Sequence, residues 1–331
     1  MRPEIIVEPL PQLPDFGPDV LKMFQIFHPY AFDKTAKAFL AGQRFVHYTS
    51  ADNALKMFRN REVWMRKSTC MNDFMEIQHG FACLKASTEV HVADLKRIFD
   101  GMFPGFNDKL VSAFNSWLPA FNNDTYIACL SEHDTSEDRL GRLSMWRAYG
   151  GSAGVAVVLN GAPFIRPSDA LKAYTSPVAY LDQDGFDREF VRFIESVEAN
   201  SDFVKGLGEA AVLGRVFEVF RSAMLCTKHP GFHEEREWRV IYSPSYMKSS
   251  YVKAEIESVN GTPQPVCKIP LANIPDKGLT GIEIPELVER VIIGPTKYPR
   301  VIQEAFSILL SSIDMPDAAS RVTVSDIPLR N

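Results

Sequence analysis

Phe45-Val46-His47-Tyr48-Thr49-Ser50-Ala51-Asp52-Asn53-Ala54-Leu55 turns within eleven residues from an apolar run to a polar cluster and back. Over residues 45–48 the period-two pattern predicts a short strand, with Phe45 and His47 on one face and Val46 and Tyr48 on the other. Thr49 or Ser50 can accept a hydrogen bond from the first free N–H groups of a helix. That helix is predicted from Ala51, Ala54, Leu55 and Phe58, which recur at helical spacing. Strand, cap and helix together aim polar side chains and helix N–H donors at one place.

Far downstream, Glu235-Arg236-Glu237-Trp238-Arg239 enters a second apolar run, Val240-Ile241-Tyr242. A strand beginning near Glu235 places Glu235, Glu237 and Arg239 on one face and Trp238, Val240 and Tyr242 on the other. The bland alternative is a solvated edge strand whose charges pair among themselves. The two strands are expected side by side, bringing His47 and Glu237 to one cleft.

Between and around them, strands are predicted at 63–65, 125–131, 155–159, 178–181, 266–269, 288–293 and 321–324. The run 155–159 is apolar on both faces, as a central strand is. Helices are predicted over 20–40 with a break near Pro29, from Phe74 onward, over 140–149 and over 300–312, with helical insertions near 86–121 and 186–226. Strands dispersed among helices without strict alternation define an α+β fold with small mixed or antiparallel sheets forming a cleft. One domain over 41–331 is expected, preceded by an arm and helix over 1–40, because five prolines within residues 1–18 oppose regular structure.

A chain of 331 residues with 46% hydrophobic residues can bury a large core. Its formal net charge of -5 offers no global field for nucleic acid. Five scattered cysteines suit a reducing compartment better than a disulfide framework. The start of the chain lacks the pattern of a secretory signal, and no apolar run approaches the roughly 20 residues of a membrane span, so a cytoplasmic protein with no membrane partner is expected. The spacing of His79 and Cys83 lacks the second Cys/His pair a zinc site needs. Gly150, Gly151 and Gly154 precede a strand and form a turn, not a phosphate loop that opens a helix.

Taken in order, His47-Tyr48-Thr49-Ser50 with Ala54-Leu55, then Trp64 with Asn72, Asp73 and Glu76, Leu130-Ser131-Glu132, Met145, Trp146, Tyr149 and Gly154-Val155 make a recurring set. Lys228, Phe232, Glu235, Glu237 to Arg239 and Val291 to Gly294 continue it. The set resembles a widespread bacterial family of uncharacterised domains of the HYTS/NDxxE/MWxxY/ExEWR type, over roughly residues 45–295. Phe232 departs from it, standing where a tryptophan is expected. The name of such a family conveys no activity.

The layout is also similar to that of ADP-ribosyltransferases, which bind NAD in a cleft between two small sheets. By that resemblance His47 with Thr49 would orient NAD as substrate, Tyr48 or Tyr149 would stack on nicotinamide, and Arg239 would join them in binding the cofactor. Glu237 would be catalytic, stabilising the oxocarbenium-like sugar, and Glu235 would handle the acceptor. An NAD-cleaving or ADP-ribosylating enzyme in a toxin or phage-defence role is thereby implied, with no mark of which protein or nucleic acid accepts the ADP-ribose. The first alternative is a metal-dependent nuclease with Asp73, Glu76, Glu235 and Glu237 as Mg²⁺ ligands and Lys228 at the phosphate. The second is a non-enzymatic module that senses a nucleotide or binds a protein, its motif residues forming a buried polar network around Trp64, Trp146 and Trp238.

Overall fold

Why the polar cluster of residues 45–55 forms where it does follows from one cap. In the computed structural model, which describes residues 17–70, 74–166, 168–259 and 261–328, with backbone alone at 74–76 and 120–123, the Asn53 N–H donates to Ser50 Oγ at 3.3 Å and opens helix Ala51–Asn60. Arg61 ends that helix in the left-handed region at φ 51°. The expected proline-rich arm over residues 1–16, and Asn72 and Asp73, lie outside the described residues.

The strands are β1 (Arg44–Ser50), β2 (Glu62–Lys67), β3 (Tyr126–His133), β4 (Ala153–Leu159), β5 (Tyr174–Pro177), β6 (Ala179–Tyr180), β7 (Thr227–Lys228), β8 (Glu237–Tyr242), β9 (Lys253–Val259), β10 (Thr262–Pro270), β11 (Val288–Thr296) and β12 (Val322–Val324). Ten of them form a mixed sheet in the order β12-β11-β4-β1-β3-β2-β10-β9, with β8 paired to β3 and β5 to β8. β6 and β7 form a parallel pair of their own. The fold is α+β with mixed sheets. β4, flanked by β1 and β11, holds Val155 to Val158 at 0% exposure, which is why both of its faces read as apolar.

The sheet forks at β3. On one edge β1 pairs only with residues 131–133 and β2 only with 126–127, while the other edge is covered by β8 from Tyr126 to Ser131. One face carries Phe45, Leu130, Val157 and Trp238 beneath helices Ala51–Asn60 and Pro299–Ser311. On the opposite face Ile127 and Ile241 pack with residues of helices Phe74–Val90, Gln183–Ala199 and Glu209–Cys226. Helices Pro18–Phe27 and Pro29–Leu40 break at His28, since Pro29 has no N–H to continue the first.

β9 lies outside the strands predicted from the sequence. Its side chains alternate between charge and Ala254 or Ile256 and are exposed on both faces of an edge strand, so no buried period marks it.

Candidate functional site

β8 begins at Glu237, one residue after Arg236, which sits in the left-handed region at φ 43°. Glu235 therefore closes a 3₁₀ turn, not a strand, and the expected common strand face of Glu235, Glu237 and Arg239 is corrected for its first member. The carboxylates nonetheless meet. Lys228 Nζ, fully buried at the end of β7, donates to Glu235 Oε2 and, at 3.2 Å, to Glu237 Oε2. Arg239 Nε donates to Glu237 Oε1 at 2.8 Å, and its NH1 to the Leu225 carbonyl at 2.6 Å. Tyr149 Oη donates to Glu235 Oε1 at 3.2 Å, and the Glu237 N–H to Tyr180 Oη at 2.7 Å. Among the described residues two anions face two cations, with the Glu237 side chain 5% exposed and that of Glu235 18%.

Arg142 holds the turn ahead of β8. It donates to Ser131 Oγ at 2.7 Å, to the carbonyls of Glu132 and Glu234 at 2.8 and 2.9 Å, and with two nitrogens to Glu137 at 3.1 Å. Nothing in its sequence surroundings signals this role, because every partner but Glu137 is ten or more residues away or a backbone group.

The expected side-by-side pairing of the two motif strands is corrected: β3 lies between them. Val46 pairs with Ser131 and Ser131 with Glu237, so these three share a face. His47, one position on, faces the other way with Trp238. His47 and Glu237 therefore do not open onto one face of the sheet. His47 instead fills the fork, its Nδ1 donating to the Cys129 carbonyl at 3.0 Å where β3 has no strand on that edge. Burial holds its pKa below the ordinary value, so the ring is neutral and Nε2 is left as an acceptor.

Tyr48 is not placed to stack on a cofactor. It is 6% exposed, accepts the Arg142 N–H at 2.8 Å and packs edge-on against Trp146 with centroids 4.9 Å apart. Thr49 Oγ1 accepts from Asn53 Nδ2 at 3.4 Å beside the helix cap. The structure thus joins Glu235, Glu237, Tyr149 and Arg239, adds Lys228, Tyr180 and Arg142, and leaves His47 and Thr49 outside.

Of the proposed Mg²⁺ ligands, Asp73 and the Glu76 side chain lie outside the described residues. Among the described residues no group of three or more His, Cys, Asp or Glu side chains is arranged to hold a metal ion. Lys228 occupies the space between Glu235 and Glu237 that a cation would take. His79 Nε2 lies 2.9 Å from the Leu181 carbonyl and 3.8 Å from Cys83 Sγ.

Burial pushes the Glu237 carboxyl up, but Arg239 and Lys228 outweigh it and pull the pKa from 4.5 to about 2. Burial, with Arg215 nearby, lowers His28 from 6.5 to about 4. Both folded values are depressed, so each group stabilises the fold above its unfolded pKa and the contribution is lost on acidification. Stability in urea is expected to be highest above pH 6.5 and to fall in two stages, between 6.5 and 4 and between 4.5 and 2. The Glu237 contribution is on the order of 3 kcal/mol; that of His28 is smaller, because its ring lines the open cavity and is only half-buried, and His47 and His133, which burial also lowers, add to the first stage. His28→Asn shrinks the first stage and leaves the second; stability unchanged down to pH 4 would show that neither histidine 28 nor its burial matters.

A large open space lies elsewhere. A cavity of about 1060 Å³ is lined by His47, Leu130, Trp238 and Val240 on the sheet face away from Glu237. It also reaches Tyr174, Glu218 and Arg221. Because Tyr174 pairs with Ile241 and Thr175 with Val240, a cavity lined by both passes around the free edge of β5. It has an apolar arm beneath the sheet and a polar arm beside helix Glu209–Cys226.

The model of a family described as a protein of unknown function (DUF2971) matches residues 145–240, from Met145 and Trp146 in helix Leu143–Tyr149 to Val240 in β8. The matched stretch includes Tyr149, Lys228, Glu235, Glu237 and Arg239, that is, the chain segments that meet in the buried ionic network. No curated protein and no solved structure matches the chain. No helix among the described residues is long and apolar enough to cross a membrane.

Proposed function

We propose that this protein is a nucleotide-binding module whose ligand, with NAD the first candidate, occupies the bent cavity around the edge of β5. The observation that carries this reading is the cavity itself: about 1060 Å³, apolar for most of its length, with charged groups gathered at few points. In a chain of net charge -5, its lining holds Arg166, Lys172, Arg215, Arg221 and Lys277 against Asp169 and Glu218. Arg166, Arg215 and Lys277 are exposed, as the groups that meet phosphates at an entrance are. The aromatic rings of Tyr174, Tyr246 and Trp238 supply apolar walls. Glu237, by contrast, is absent from this lining and is committed to Arg239 and Lys228, which supports binding over cleavage.

Calorimetric titration with NAD, ADP-ribose and ATP tests the proposal, with chromatography of the NAD sample for nicotinamide. Binding of at least one of the three, without nicotinamide release, is the expected result. Gly214 lies on the cavity wall with no heavy atom within 4 Å of an added Cβ, in a helix where replacing glycine is favourable. Gly214→Phe is expected to weaken binding by about tenfold or more without lowering the melting temperature. Absence of heat with all three nucleotides would overturn the binding module; nicotinamide release abolished by Glu235→Gln would favour the enzyme instead.

A further inference from the structure

The polar arm of the cavity has a positive end. His28 joins helices Pro18–Phe27 and Pro29–Leu40, and its half-buried ring lines the cavity beside Phe24, centroids 6.1 Å apart. Arg215 lines the same cavity from helix Glu209–Cys226, which packs against helix Pro18–Phe27. Among the described residues neither side chain has a hydrogen-bond or ion-pair partner. The start of helix Pro29–Leu40 adds a third feature. Pro29 has no N–H, the Phe32 N–H is the first to reach a helical carbonyl, and no side chain caps the turn, so the N–H groups of Tyr30 and Ala31 are left over. Ala31 also lines the cavity.

The other charges around His28 are already answered. Glu218, on the helix of Arg215, pairs with Arg221, and Glu189, on helix Gln183–Ala199, pairs with Arg192. Lys22, on helix Pro18–Phe27, lies over the Phe203 ring. Burial raises the phenols of Tyr174 and Tyr246, so both keep their protons. What would complete this end is an anion. We propose, resting on the nucleotide-binding reading above, that His28, Arg215 and the start of helix Pro29–Leu40 form the phosphate subsite of the cavity, and that a bound pyrophosphate draws a proton from solvent onto the His28 ring. The Arg215 fork and the free N–H groups donate to phosphate oxygens, and the imidazolium donates beside them. In the ligand-free protein burial and Arg215 hold the ring neutral, with a pKa of about 4. An anion within about 4 to 6 Å raises such a value by about 1 to 3.

The test is calorimetric titration of the full chain with ADP-ribose and with NAD at about pH 6, in two buffers of different ionisation enthalpy, so that the difference in heat counts protons. In both ligands the pyrophosphate is a diester with no group that titrates near neutrality, so any uptake belongs to the protein. About half a proton is expected to enter with each nucleotide, and affinity is expected to rise as the pH falls toward 6, since binding that takes up protons is favoured by them. His28→Asn keeps a favoured residue at the helix start and is expected to abolish the uptake and flatten the pH dependence. Arg215→Gln is expected to weaken binding about tenfold or more. Should ATP alone bind, the difference between the parent and His28→Asn removes the protons of its terminal phosphate from the count. Binding without proton uptake, uptake that persists in His28→Asn, or an affinity unmoved in Arg215→Gln overturns the phosphate subsite while leaving the nucleotide-binding module standing. Failure of all three nucleotides to bind overturns both.

Discussion

Glu237→Gln is expected to destabilise the protein by about 3 to 5 kcal/mol, because it removes a nearly buried negative charge that accepts from both Arg239 and Lys228. Lys228 suffers less, since Glu235 still accepts from it. Equilibrium urea denaturation reads the loss directly. A double variant, Glu237→Gln with Arg239→Met, measures the coupling between the two groups, which is expected to be nonzero because they are in direct contact. Glu235→Gln, at the half-open end of the network, is expected to cost far less. If Glu237→Gln left the unfolding midpoint unchanged, the carboxylate would be free of a structural task, and a catalytic one would again be the better explanation.

Trp238→Ala is expected to cost about 3 to 5 kcal/mol by opening a void in the core. The indole is 1% exposed, lies 5.1 Å centre to centre from Phe45, and donates from Nε1 to Glu132 Oε1 at 2.9 Å. Removal loses the ring's contacts and leaves the Glu132 acceptor without that donor. Since Trp238 also lines the cavity, the same change enlarges the ligand space and is expected to weaken nucleotide binding. Trp238→Phe keeps most of the apolar volume and is expected to restore most of the stability but not the hydrogen bond to Glu132. A thermal unfolding curve for Trp238→Ala that overlays the parent would mean the ring is not part of the core.

Local patterns in the chain carried the elements well. The strand at residues 45–48, the Ser50 cap, the central character of 155–159 and the alternation from Glu237 to Tyr242 depend on neighbours within a few residues, and the structure contains each of them. β9 escaped because an edge strand exposed on both faces needs no apolar period. Glu235 was set on the wrong element because the left-handed turn at Arg236 is held from outside, by Asp134 and Glu137, and no turn residue such as glycine announces it.

The gathering of Glu235, Glu237, Tyr149 and Arg239 was legible as a motif, but its meaning was not. Which strand neighbours which is set by pairing across long loops, and inserting β3 between β1 and β8 moved His47 to the face opposite Glu237 through an offset of one residue. Lys228 turns the two carboxylates from an open acidic pair into a neutralised buried network, and its approach depends on the helix and strand that precede it. The cavity belongs to no motif at all: the N-terminal helices, the edge of β5 and helix Glu209–Cys226 each supply one wall. The sequence by itself determined the strands, caps and apolar faces, because hydrogen bonding and burial along one element are short-range; only the tertiary structure decided which charges cancel and where space is left, because both are properties of elements that meet from distant parts of the chain.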